Sequence, residues 1–307
     1  MEIPRLGLGT YKSTDDEKFT SALKYSLLEC KYRHIDCAPV YNNQVIIGNC
    51  LHEIFSSGSL KRDEIWITSK LWNTKHRPDL VEQSLKQTLK DLQVEYLDLF
   101  LIHWPVAFQS RTDDEMVPKD YFGNAVRDRI DIVETWKAME EMVRKGYVKH
   151  IGLSNASIEL MERIRYHKEI TIQPYANQVE MHLFNQQTPL VDYCTKRGIF
   201  VTAYTCLGRN DLVGPRGYSI STDPNLLEVA KQTGKAPSQV SLRFLLQLSP
   251  FVNVIPKSVT PAYILQNSSL DFELNEEQMN LLRQCEAAFR FVDPYSSWGF
   301  DALGLGR

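Results

Sequence analysis

The sequence lacks most of the marks that would place it elsewhere. Its six cysteines, Cys30, Cys37, Cys50, Cys194, Cys206 and Cys285, form no CxxC pair and fall at irregular spacings, mostly inside apolar segments. That reads as structural free thiols in a reducing compartment rather than a disulfide framework. The seven histidines show neither HxxxH nor HExxH spacing, so no metal site is expected. No uninterrupted apolar run approaches the ~20 residues that span a bilayer. Residues 1–10 carry Glu2 and no long apolar core, unlike a signal peptide. Lysine plus arginine total 35 against 38 acids, a net charge of -3, which leaves no basic footprint for nucleic acid or an anionic membrane. No low-complexity segment and no Gly- or Ser-rich linker divides the chain. The expectation is a cytoplasmic protein with one domain over residues 1–307.

What is present is an alternation of short apolar runs with amphipathic stretches. Thr14 to Glu17 has the form of a capping box, ahead of Phe19, Leu23, Leu27 and Cys30 at helical spacing. Pro78 opens a helix with Leu85, Leu89 and Leu92 on one face. Trp136, Met139 and Val143 line another, with Gly146 placed to end it. Strands are expected at residues 6–9, near 35–36, and at 65–70, 97–103, 148–153, 175–179, 199–204 and 252–255. Residues 97–103 are nearly all apolar, as in a strand buried on both faces. Eight strand candidates, with a helix after nearly every one, predict an α/β fold of parallel strands closed into a (β/α)8 TIM barrel. Two long connections, 108–129 and 207–223, then lie on its catalytic face.

Active groups in such barrels sit where strands end. Here those ends offer Asp36 with Tyr41 just beyond, Lys70, His103, Ser154 and Asn155, Gln178, Tyr204, and Lys257 with Ser258. Each alone has an ordinary explanation: a turn-former, an amphipathic rim residue, a snorkelling lysine, a satisfied core histidine. Their joint occurrence at one rim is harder to dismiss. Four of them suit carbonyl reduction, in which hydride reaches carbon and negative charge develops on oxygen. A tyrosine titrates near ~10, and an ammonium beside it lowers that value. Tyr41 is thus the general acid, Lys70 is expected to depress its pKa, Asp36 pairs with Lys70, and neutral His103 donates an N–H to the substrate oxygen.

These residues closely resemble the aldo-keto reductase superfamily, in its aldose and aldehyde reductase branch, over almost the whole chain. The resemblance rests on Leu6–Thr10, on HIDCAPVYNN from His34, ITSKLWN from Ile67, LDLFLIHWP from Leu97, GLSN from Gly152, NQVEMH from Asn177 and IPKSVTP from Ile255. It implies a catalytic tetrad of Asp36, Tyr41, Lys70 and His103, and NADPH as cofactor. The nicotinamide carboxamide would be held by Ser154, Asn155 and Gln178, with Tyr204 stacked on the ring. Lys257, Ser258 and Thr260 would hold the 2′-phosphate and nearby ribose, Gln266 and Asn267 would meet adenine, and Lys12, Asp211 and Lys257 would form a latch over the pyrophosphate. Gly9, Thr10, Thr205, Leu207 and Tyr263 complete the cofactor set. The dinucleotide would lie extended, with no need of a GxGxxG turn. An apolar substrate pocket is expected from Tyr11, Trp72, His103, Trp104, Phe108, Met116, Phe289 and Trp298, whereas Trp66 and Trp136 read as core. The implied partner is a small carbonyl compound, and the implied state a monomer.

Several positions depart from that pattern. Tyr11 stands in place of a Trp, Thr205-Cys206 in place of Ser-Pro, and Arg209 in place of a small polar residue. Tyr263 replaces an arginine that commonly grips the 2′-phosphate, so a narrower preference for NADPH over NADH is expected. The N-terminal hairpin that plugs the barrel bottom is expected to be missing. Two other readings were weighed. A cofactor-binding regulatory barrel with little turnover is opposed by the four polar groups, and a metal-dependent barrel hydrolase by the lack of a ligand cluster.

Overall fold

In the computed structural model, residues 2–112, 115–209, 212–215, 217 and 219–304 are described. Strands and helices alternate as β1 (Leu8–Gly9), α1 (Asp16–Lys24), β2 (His34–Asp36), α2 (Gln44–Ser56), β3 (Trp66–Leu71), α3 (Pro78–Leu92), β4 (Leu97–Ile102), α4 (Ile132–Arg144), β5 (Val148–Ser154) and α5 (Ile158–Arg165). They continue as β6 (Ala176–Glu180), α6 (Thr188–Thr195), β7 (Phe200–Tyr204), α7 (Pro224–Thr233), α8 (Pro237–Leu248), β8 (Val252–Val254), α9 (Pro261–Ser268), α10 (Glu276–Arg283) and α11 (Tyr295–Trp298). The strands follow one another in one sheet in chain order. The pairs β3–β4, β4–β5 and β7–β8 are parallel. Parallel strands in chain order, each followed by a helix, are the (β/α)8 barrel fold.

The chain comprises two compact units, a first of residues 1–9, 17–34 and 178–292, and a second of residues 10–16, 35–177 and 293–307. In the second unit every position of β3 and β4 is buried. The apolar run of β4 admits one charge, Asp98, which accepts the Ile67 N–H at 2.9 Å and pairs with Arg62 at 2.8 Å and Lys149 at 3.0 Å. Pro78 occupies the first turn of α3, where its missing N–H costs nothing, and Val81, Leu85, Leu89 and Leu92 are buried on one face. Asp131 caps α4 through the Val133 N–H, and Gly146 lies just past its end at φ 77°. Gly152 has a packing reason: a Cβ there would lie 2.5 Å from the Ala176 carbonyl oxygen and 2.8 Å from Leu101 Cδ2.

In the first unit, the spacing of Phe19, Leu23, Leu27 and Cys30 predicts one continuous helix. The structure instead ends α1 at Lys24 and widens into a π-helical turn over Tyr25–Glu29, closed by the Cys30 N–H on the Tyr25 carbonyl at 3.1 Å. Apolar spacing alone does not distinguish the two turns, because both leave Leu27 facing inward; Cys30 is left half-buried. At the start of β1 the chain hugs β8. The Gly7 and Gly9 amides donate to Val254 and Pro256 carbonyls, and a Cβ on Gly9 would meet the Ile255 oxygen at 2.7 Å. Among the described residues no helix is long and apolar enough to cross a membrane, and all six cysteines are free thiols.

Candidate active site

Four polar groups converge in the second unit because three neighbouring strands end there. β2 ends at Asp36, and a short 3-10 turn, Pro39–Tyr41, brings Tyr41 back over it. Lys70 is the next-to-last residue of β3, and His103 follows β4, its N–H donating to the Leu71 carbonyl. Lys70 is fully buried, and its ammonium has three acceptors: Asp36 Oδ1 at 2.6 Å, the Cys37 carbonyl at 2.8 Å and the Tyr41 hydroxyl oxygen at 3.3 Å. An ammonium has three protons, so each is used. Because the Tyr41 oxygen accepts from Lys70, its own proton is free to point elsewhere.

The sequence leads one to expect that Lys70 depresses the Tyr41 pKa. The site does the reverse: burial, with the negative charge of Asp36 and then Cys37 and Tyr11, pushes the Tyr41 pKa well above 10. Desolvation of the phenolate outweighs the ammonium, whose charge Asp36 already neutralises. Burial, followed by the charges of Lys70 and His76, holds the His103 pKa well below its usual value, so the ring is neutral with one N–H. Its Nδ1 is buried without a partner among the described residues. The ring stands edge-on to Trp72 at 5.1 Å and to Tyr41 at 5.8 Å.

His76 lies behind this cluster, also buried, with its pKa pushed by burial down to about 3 and Nε2 unpartnered among the described residues. The unfolded chain takes up that proton near ~6.5, whereas the folded one waits until about pH 3. Stability is therefore present above pH ~6.5 and lost as pH falls, by up to ~1.4 kcal/mol per pH unit from this one group. Urea unfolding midpoints at pH 7 and pH 4.5 should show a steeper decline in the wild type than in His76→Leu; equal declines would contradict this.

The residues expected to hold a cofactor fall in both units. In the second, the Thr10 hydroxyl donates to the Asp36 carbonyl at 2.7 Å, and Asn155 Nδ2 donates to the His103 carbonyl at 3.0 Å and the Ser154 hydroxyl at 3.2 Å. In the first, Gln178 is buried on β6 and Tyr204 ends β7. Left-handed backbone marks three of these positions: Lys12 at φ 57°, Asn155 at φ 59° and Thr205 at φ 51°. For a β-branched threonine that conformation is strained, and such strain gathers at functional sites. The first unit also contains a groove of about 270 Å3 lined by Leu207, Lys257, Ser258, Tyr263, Gln266 and Asn267 together with Gly208 and Ile220. Thr260 stands at its edge, its N–H on the Ser258 hydroxyl at 3.1 Å, at the N-terminus of α9. Lys257 has its pKa lowered by burial and by the positive charge of Lys18. A half-buried cation beside another cation, at a helix N-terminus, fits an anionic group such as a phosphate. Asp211 lies outside the described residues.

The aromatic residues expected to wall a pocket also divide. Trp298 packs edge-on to Trp104 and Phe108, each at 5.0 Å, and to Trp72 at 6.4 Å. Trp72 Nε1 donates to the Met116 carbonyl at 2.6 Å, so Met116 contributes its backbone. The Tyr11 ring lies 5.1 Å from Tyr41. Phe289 lies in the first unit, packed on Phe291 at 5.1 Å. Two members were missed: Phe300, 6.3 Å from Phe108, and Arg127, whose guanidinium lies 4.9 Å over the Phe300 ring. No motif contains either. They join through the docking of the C-terminal segment on the loop after β4, where the Ala125 N–H donates to the Trp298 carbonyl at 2.9 Å.

A strand-end lysine saturated by a carboxylate, a carbonyl and a tyrosine, in a barrel of this strand order, defines a class. The chain belongs to the aldo/keto reductase family, whose model matches residues 5–287. It is 42% identical over 299 residues to aldo-keto reductase family 1 member A1-A of Danio rerio, covering 95% of this chain and 89% of that protein. To aldo-keto reductase family 1 member A1 of Homo sapiens it is 41% identical over 297 residues, with 95% and 89% covered. Among solved structures, aldose reductase from Schistosoma japonicum aligns with a TM-score of 0.89 at 39% identity, over 100% of this chain and 96% of that one. Aldose reductase from Giardia lamblia aligns at 0.88 and 38%, over 97% and 98%. Membership makes this chain an oxidoreductase acting on carbonyl compounds.

Proposed function

We propose that this protein reduces aldehydes and ketones to alcohols with NADPH, with Tyr41 as the proton donor. The observation that carries the reading is the saturation of Lys70: with all three ammonium protons committed, the Tyr41 oxygen is held and its O–H left free to give. Bound NADPH would supply the hydride. Tyr41 delivers its proton to the carbonyl oxygen as charge develops there, and the high pKa of the phenol keeps that proton in place until it is needed. Neutral His103 donates its N–H to the same oxygen and orients it. Asp36 holds Lys70, and Lys70 holds Tyr41. The tight aromatic cluster around Trp298 excludes water.

For the cofactor, Lys257, Ser258 and Thr260 would take the 2′-phosphate, and Gln266 and Asn267 the adenine. Ser154, Asn155 and Gln178 would take the carboxamide, and Tyr204 the ring face. Gly9, Thr10, Lys12, Thr205, Leu207 and Asp211 would line the remainder. The protein would act as a cytoplasmic monomer of a single domain. Consumption of NADPH with nitrobenzaldehyde by the purified protein tests the reading; no consumption with that or any small aldehyde would end it.

Cofactor preference should be narrow. A 2′-phosphate is met best by a guanidinium with paired hydrogen bonds, but Lys257 brings one point charge, and the exposed Tyr263 brings only a neutral hydroxyl and a ring. NADPH should be favoured over NADH, and Tyr263→Arg should widen the margin by roughly 1 to 3 kcal/mol through tighter NADPH binding. Lys257→Met should narrow it. Titration of both cofactors decides: a wild type that favours NADH, or no gain in Tyr263→Arg, would displace the phosphate site.

A further inference from the structure

One buried carboxylate of the first unit is not used by the chemistry above. Glu180 ends β6 with its side chain fully buried. Its Oε1 accepts the Phe291 N–H at 2.6 Å and faces His182 Nε2 at 3.0 Å, and its Oε2 accepts the Val292 N–H at 3.2 Å, with Arg290 Nη1 at 3.9 Å. The Phe184 N–H donates to His182 Nδ1 at 3.2 Å. That nitrogen is therefore the acceptor, and the proton of the neutral ring sits on Nε2, aimed at Glu180. A charge buried this deeply is tolerated only when its lone pairs are filled, and here the donors come from the C-terminal segment.

The grip ends on the Phe291 ring, which lies 5.0 Å from the His182 ring. On its other side is the wall of the groove that holds Lys257. A Cβ built on Gly208 would lie 3.1 Å from Phe291 Cε2 and 2.7 Å from Ile220 Cδ1, and both Gly208 and Ile220 line that groove. Gly208 sits at φ 71°, so the wall approaches Phe291 with no side chain between. From Val292 the chain runs on to Trp298, the centre of the aromatic cluster.

We propose that Glu180 is a positioning residue that seats Phe291 against Gly208 and Ile220, so that one contact sets both the shape of the dinucleotide groove and the placement of the C-terminal segment that selects substrates. The proposal rests on the NADPH-reductase reading. Coupling of this kind is reciprocal: what loosens the ring weakens cofactor binding, and substrates that lean on the C-terminal segment suffer most.

The test uses the full chain with Phe291→Ala and Glu180→Gln, NADPH affinity read by quenching of protein fluorescence, and kcat and KM for a small and a bulky aldehyde. Phe291→Ala should weaken NADPH binding about tenfold, within the usual span of linked sites. It should raise KM for the bulky aldehyde several-fold more than for the small one, leaving kcat for the small one within about threefold. Glu180→Gln keeps the shape but sets an amide N–H2 against backbone donors, and should move both readouts the same way. Where Phe291→Ala does not fold, Phe291→Leu is read on the same scale. A folded Phe291 variant with wild-type NADPH affinity and wild-type substrate ranking overturns the proposal while leaving the reductase reading intact. A wild type that neither binds NADPH nor reduces either aldehyde overturns both.

Discussion

Replacing Tyr41 with phenylalanine is expected to remove carbonyl reduction by a factor of about 10² or more, with NADPH affinity unchanged within a few-fold. The ring is kept, so its contacts with Tyr11 and His103 remain. What goes is the one oxygen that both accepts from Lys70 and can give a proton to substrate. Because the acid must be protonated to act, and burial raises its pKa well above 10, the basic limb of the wild-type rate profile should lie above the ordinary tyrosine range. A profile falling near pH 7, or a Tyr41→Phe enzyme of near-normal turnover, would assign the proton to another group.

Removing the counter-charge of Lys70 should cost stability as well as rate. Asp36→Asn leaves an ammonium of zero exposure without its carboxylate at 2.6 Å. Breaking a buried pair from one side typically costs about 3–5 kcal/mol, because the remaining charge is stranded in a medium that solvates it poorly. The double variant Asp36→Asn, Lys70→Met removes both charges, and should recover much of that stability while remaining inactive, since Tyr41 is no longer held. Urea unfolding beside steady-state rates separates the two effects. A double variant that unfolds at the summed cost of the single ones would show that the pair is not coupled.

Most of the scaffold was legible in the sequence. The run at Leu97–Ile102, and the helix faces of Leu85, Leu89 and Leu92, are written as local periodicity, and periodicity survives into the fold because burial depends on which residues share a face. The π-helical turn at Tyr25–Glu29 was not legible, since one extra residue in a turn alters backbone pairing before it alters which apolar side chains face inward. Phe300 and Arg127 were invisible for another reason: they reach the aromatic cluster only by the docking of distant chain segments.

The sequence by itself determined the order of strands and helices, the family, and the charged and hydroxyl groups that strand ends would carry, because each follows from residue type and spacing. Only the tertiary structure decided that Lys70 spends all three protons, that Tyr41 is pushed up rather than down, that Thr205 is held in a left-handed turn, and that Glu180 grips the C-terminal segment. Those are properties of burial and of hydrogen-bond partners far apart in the chain. The sign of a pKa shift depends on the balance between lost water and nearby charge, and that balance exists only once the whole site is assembled.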